Sequence, residues 1–201
     1  MISDLYLIAT GGEPVGEPIN LTETKEWLRV RTTADDPLIT ALISSAILFG
    51  EKFTNRVFIE RTLEGFFSGI ETSNCETTPF VTVRRAPLLA VTSVEVLSGG
   101  SYTAFTDYKV KDTGGFARIL FENGIYDASP DSDEPYPLKI TFTAGYGAKY
   151  DVPADIKTAL LAHVAFLYEN RGDVVSVGGV SMPMETQSIY SGKYAILNTF
   201  G

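Results

Sequence analysis

The chain has one cysteine, one histidine and one tryptophan in 201 residues, and each scarcity removes a class of chemistry. Cys75 cannot form a disulfide within the chain. It sits among Ser73, Asn74, Glu76 and Thr77, with no base beside it to lower its pKa, so it reads as a spare loop thiol rather than a nucleophile. A zinc site built from His and Cys lacks ligands in number. The lone His163 falls on an apolar helical stripe and reads as a core or interface histidine rather than a catalytic one. Basic residues are also scarce: 16 Lys and Arg stand against 25 Asp and Glu, a formal net charge of −9. Gripping nucleic acid requires cations that displace counterions from phosphate, and this balance opposes it. An acidic wall would still let a duplex slide past. Apolar stretches such as residues 159–167 are interrupted and fall short of the roughly 20 residues that span a bilayer, so no membrane helix is expected. Residues 1–18 lack the basic start and apolar core of a secretory signal, and the chain is expected to stay where it is made.

What is present is a globular composition, 44% apolar and 20% charged, in a chain long enough for one good core. Residues 1–18 carry three Gly and two Pro and read as a flexible leader. Asn20 can cap a first helix over residues 20–30, with Glu23 three positions on as the capping-box partner. Asp36 and Pro37 start a second, over residues 36–55, whose Leu38, Leu42, Ala46, Phe49 and Phe53 form an apolar stripe; Asn55 can end it in the left-handed conformation. Between residues 57 and 144 the period changes to two. Val81 and Val83, Val94 and Val96, and Leu138, Ile140 and Phe142 alternate with polar residues, which reads as antiparallel hairpins inserted between helices. Pro153 opens a third helix over residues 153–171, striped by Ile156, Leu160, His163, Val164 and Leu167 and stopped at Gly172. The fold class is therefore α+β: a small helical core of two N-terminal helices and one long C-terminal helix, an inserted β-hairpin lobe, and an extended C-terminal arm.

No catalytic set emerges. Asp35 and Asp36 read as a helix cap, and the carboxylates of residues 131–134 as a solvated loop. Gly145-Tyr146-Gly147 has neither the P-loop nor the dinucleotide pattern and reads as a turn. No cofactor and no metal are expected. Residues 174–201 are apolar and aromatic without a clear period, and carry more apolar area than a free arm should expose. They read as a docking arm, with Ile189, Tyr190, Tyr194, Ile196, Leu197 and Phe200 as partner-binding residues; the alternative is that the arm folds back on its own subunit. Ten tyrosines and the hairpins leave open a non-catalytic glycan- or protein-binding module, and a hydrolase with a missed pocket is the third class.

Three blocks carry a resemblance: Leu21-Thr22-Glu23-Thr24-Lys25-Glu26-Trp27-Leu28-Arg29-Val30; Asp35-Asp36-Pro37-Leu38-Ile39-Thr40-Ala41-Leu42-Ile43; and Thr143-Ala144-Gly145-Tyr146-Gly147 leading to Val152-Pro153-Ala154-Asp155-Ile156 and Tyr168-Glu169-Asn170-Arg171. In that order, over residues 21–173, they resemble the head-tail connector, or adaptor, proteins of long-tailed bacteriophages, in the head-completion group with a β insertion between the helices. The resemblance implies a structural virion protein made in the host cytoplasm and residing in the neck. It implies a dodecameric ring beneath the portal protein and above the stopper or tail protein, through which phage DNA passes without sequence-specific binding. With residues 1–18 read as a leader, residues 19–173 form the adaptor domain and residues 174–201 the docking arm, for which the resemblance implies the portal, or else a neighbouring subunit, as the target.

Overall fold

The computed structural model describes residues 5–9, 16–73, 76–122, 136–170 and 183–194. The chain is α+β and divides into two compact units, one of residues 15–59 and 146–201, the other of residues 1–14 and 60–145.

The first unit is helical. Asn20 Oδ1 accepts a hydrogen bond from Glu23 N at 2.9 Å and so caps α1 (Leu21–Leu28). The reciprocal half of the expected capping box is replaced by a longer tie, because the Glu23 carboxylate pairs with Lys149 at 2.7 Å. Replacing Asn20 by Ala should lower stability by about 1 kcal/mol, measurable by urea unfolding. Arg29, at φ +59°, ends the helix in the left-handed region.

α2 (Asp36–Thr54) begins where Pro37 supplies a ready-made helical φ, and ends at Asn55, φ +54°. Asp35 takes the cap position and accepts a hydrogen bond from Tyr168 Oη at 2.5 Å, while Asp36 pairs with Lys25 at 2.5 Å. With 19 residues and a mean hydropathy of 1.2, α2 is long and apolar enough to cross a bilayer. It is nonetheless two-faced: Ile39, Ile43, Ala46 and Gly50 are buried, whereas Thr40, Ser44, Ser45 and Lys52 are exposed, the pattern of a surface helix packed on a core. From the last turn of α2, the buried Glu51 carboxylate accepts a hydrogen bond from Phe58 N at 2.8 Å and holds the turn that follows the helix.

α3 (Ala154–Glu169) runs from Pro153 through the expected stripe. Ile39, Ile43, Phe58, Ile156, Leu160 and Val164 close one apolar cluster between α2 and α3, with Leu28 and Leu42 packed at its margin. Leu167, expected in that stripe, is only half-buried. The helix stop expected at Arg171 and Gly172 lies outside the described residues, as does Cys75.

The second unit holds two antiparallel sheets. One has the order β1 (Leu5–Ala9), β2 (Arg61–Phe67), β9 (Leu138–Ala144), β5 (Leu88–Ser98), β6 (Ser101–Ala104); the other has β3 (Glu71–Ser73), β4 (Glu76–Val83), β8 (Ala117–Leu120), β7 (Lys109–Asp112). The alternation seen in sequence sets which face is buried: Leu63 and Phe67, Val94 and Val96, and Leu138, Ile140 and Phe142 in the first sheet, Val81, Val83 and Ile119 in the second. On the opposite face of the first sheet Lys139 pairs with Glu95 at 2.5 Å, and that bond holds the Lys139 ammonium above its ordinary pKa. The strand β1 is a departure from expectation. Leu5–Ala9 fall in the stretch read as a flexible leader, yet they pair with β2, Leu5 opposite Phe67 and Ala9 opposite Leu63. Their Leu-Tyr-Leu-Ile core is a short strand signal whose partner lies more than fifty residues away, and only that partner decides it.

Candidate functional site

The C-terminal segment was the expected docking element, and its described part is anchored on its own subunit. α4 (Met184–Ile189) and the following π-helical turn Tyr190–Tyr194 lie against α2 and α3. Thr186, fully buried, donates its Oγ1 hydrogen bond to the Ala159 carbonyl at 3.3 Å. Tyr190 is 0% exposed and packs on Ala159, with Phe49 and Ile189 alongside; its ring lies 6.0 Å from that of Phe53. The fit depends on two small residues. A Cβ at Gly50 would stand 2.9 Å from Tyr190 Oη and 3.0 Å from Phe58 Cε2, and the small Ala159 side chain is buried against the ring.

Tyr190, expected as an exposed anchor for a partner, is therefore inside the subunit. The gap that α2 and α3 leave over Gly50 and Ala159 takes an aromatic ring, and burying that ring releases more water than leaving it on an arm. Ile189 is half-buried beside it. Tyr194 closes the π-helical turn. Ile196, Leu197 and Phe200 lie outside the described residues.

The Tyr190 hydroxyl has no hydrogen-bond partner among the described residues, and burial pushes its pKa well above the ordinary tyrosine value. Below pH 10 the phenol is protonated in both the folded and unfolded chain. Above it the unfolded chain loses the proton and the folded one keeps it, so stability falls as pH rises. Tyr190→Phe is expected to raise stability by about 1 kcal/mol at neutral pH, since a buried unpaired hydroxyl is removed. The gap between variant and wild type should widen by about 1.4 kcal/mol per pH unit above 10. Urea unfolding across that range reads both.

The other sequence candidates fall into structural places. His163 is buried, with its ring edge-on to Phe49 at 5.2 Å. The Gly145-Tyr146-Gly147 turn uses positive φ at both glycines, +133° and +107°. Asp151 Oδ2 accepts from Ala148 N at 2.9 Å, and Tyr146 Oη accepts from Arg56 at 3.0 Å. These bonds fold the entry into α3. No group of three or more His, Cys, Asp or Glu that could hold a metal occurs among the described residues. Sequence reasoning missed Gly50 and Thr186. A glycine in mid-helix is the one signal that could have marked the first, because it forgoes helix stability of about 1 kcal/mol relative to Ala unless something needs the space.

A family model described as head completion protein matches residues 17–198. Among solved structures, the chain is similar to one described as "Neck of empty GTA particle computed with C6 symmetry", at 20% identity and TM-score 0.77, with 98% of each chain covered. It is similar to a second, "Virion of native gene transfer agent (GTA) particle", at 21% identity and TM-score 0.71, with 97% of each covered. A third is "Neck of native GTA particle computed with C12 symmetry", at 19% identity and TM-score 0.67, with 98% of each covered. At these identities the likeness is one of fold. No curated protein matches.

Proposed function

The chain belongs to the head completion protein family, and from that premise we propose that it is a structural protein of a phage-like virion. Its copies form a ring beneath the portal, join the head to the stopper or tail, and let DNA pass through the middle. The observation that carries this reading is the family match over residues 17–198, supported by a fold shared along nearly the whole chain with proteins of particle necks, one of them described with twelvefold symmetry. Twelve copies is the ring size we adopt. The net charge of −9 suits a channel past which DNA slides and does not suit one that grips it.

Residues 19–173 serve as the adaptor body and residues 174–201 as the arm that docks on the portal. Ile189 and Tyr190 form the arm's root on its own subunit, so the outward contacts fall to Tyr194, Ile196, Leu197 and Phe200. Large apolar and aromatic side chains are the usual anchors of such contacts. Deleting residues 188–201 would remove Tyr190 and confound docking with folding; deleting residues 195–201 separates the two. The shorter deletion is expected to leave the unfolding midpoint unchanged while tails fail to attach to filled heads and DNA leaks out. Infectious particles at normal yield would refute the docking role.

A further inference from the structure

The outer side of an amphipathic surface helix is ordinarily charged, as α1 and α3 show with exposed Glu26 and Glu169. α2 departs from that rule. Between Asp36 and Glu51 it carries no Asp, Glu, Lys, Arg or His, although only 33% of its apolar stretch is buried. The buried part is the inner side, Ile39, Ile43, Ala46 and Gly50. The outer side exposes Thr40, Ala41, Ser44, Ser45 and Leu48, the last at 67%. Its hydroxyls are already engaged. Thr40 Oγ1 donates to Asp36 O at 2.9 Å, Ser44 Oγ to Thr40 O at 3.2 Å and Ser45 Oγ to Ala41 O at 2.9 Å. Covering this face therefore strands no hydroxyl donor, which removes the usual cost of drying a polar surface. Pro37, Ala41, Ser44 and Leu48 recur at intervals of four, three and four, the spacing with which one helix lies along another.

We infer that the outer face of α2, from Thr40 to Leu48, is where a second copy of this chain packs. The inference rests on the ring reading above and names a surface on which the ring closes. Charge selects this occupant. A partner of different sequence can meet an acidic chain with basic residues of its own, and gains by doing so over the chain's charged surfaces. An identical copy brings the same excess, −9 against −9, and is repelled wherever acidic surfaces approach. Copies of this chain therefore meet most favourably over a face with no charge, and α2 supplies one. DNA does not fit there, because the face offers no cation to phosphate. A bilayer would fit only if α2 left the cluster it shares with Ile156, Leu160 and Val164. A ring contact is head-to-tail, so the α2 face of one copy rests on a different surface of the next and leaves the next copy's α2 face free to repeat the contact.

The test uses the full chain, with self-association followed by sedimentation over a range of concentrations and folding checked by urea unfolding. Ser45→Lys/Leu48→Lys adds two positive charges to a chain of net −9, which eases the general repulsion between copies. It is nonetheless expected to weaken association at least about tenfold, because each ammonium would be buried in the contact without a partner. Leu48→Ala should weaken it in the same direction. Lys and Ala are good helix formers, so the unfolding midpoint should hold or rise in both variants while association falls. The control Thr92→Lys/Thr106→Lys places the same charges at exposed positions of the other compact unit and should leave association at least as strong as in the wild type. Folded α2 variants that associate like the wild type overturn the inference, and so does a control pair that weakens association equally. Binding to phosphatidylglycerol vesicles that Leu48→Lys abolishes, with self-association intact, would assign the face to a bilayer instead. Variants that associate normally but no longer join filled heads would assign it to a different protein of the particle. A wild-type chain that stays monomeric at every concentration would overturn the ring reading itself, a distinguishable failure.

Discussion

Tyr190→Ala is expected to lower the free energy of unfolding by about 3–5 kcal/mol, the cost of emptying a large buried aromatic site whose walls relax only in part. The ring is fully buried and packs on Ala159 and beside Phe49 and Phe53, so both transfer energy and cavity count. Gly50 supplies the control. Gly50→Ala should gain about 1 kcal/mol of helix propensity, but its methyl would sit 2.9 Å from Tyr190 Oη. Overpacking of that kind costs about 1–3 kcal/mol. The same Gly50→Ala change in the Tyr190→Ala background should lose the part of that penalty owed to Tyr190 and become less destabilising, with the 3.0 Å approach to Phe58 Cε2 remaining. A double-mutant cycle by urea unfolding measures the coupling directly. Additive effects would mean that α4 and its π-helical turn do not lie on α2 in solution.

Leu160→Ala should cost about 2–5 kcal/mol. Leu160 is 0% exposed and belongs to the cluster that joins Ile39 and Ile43 of α2 to Ile156 and Val164 of α3. Shortening it opens a void where the two helices meet, so its loss weakens the unit as a whole. Leu167→Ala, at a half-buried position outside that cluster, should cost much less. An unfolding midpoint that Leu160→Ala leaves in place would remove this residue from the core.

Local signals carried most of the helical unit and the central strands. The Asn20 cap, Pro37 near the start of α2, Asn55 at its end and the stripe from Ile156 to Val164 act within one or two helical turns, so a single stretch of chain contains all that determines them. The same holds for β4, β5 and β9, whose alternation reflects one buried face each. Where the determinant is distant, sequence reading stopped. β1 depends on β2, Glu23 turns to Lys149 instead of its own helix start, and Tyr190 finds a space made by Gly50 and Ala159, residues more than thirty positions upstream. The apolar excess of the C-terminal segment was legible, but which surface it covers was not, because hydrophobic burial carries no address in the segment itself.

The proposed role rests on where the protein sits and in how many copies. Particles carrying a small tag on this chain, labelled with gold and imaged by electron microscopy alongside quantitative mass spectrometry against the portal, measure both. The expected result is label confined to the junction of head and tail, with one copy of this chain for each portal subunit. Label on the capsid surface or at the tail tip, or a stoichiometry unrelated to the portal's, would contradict it.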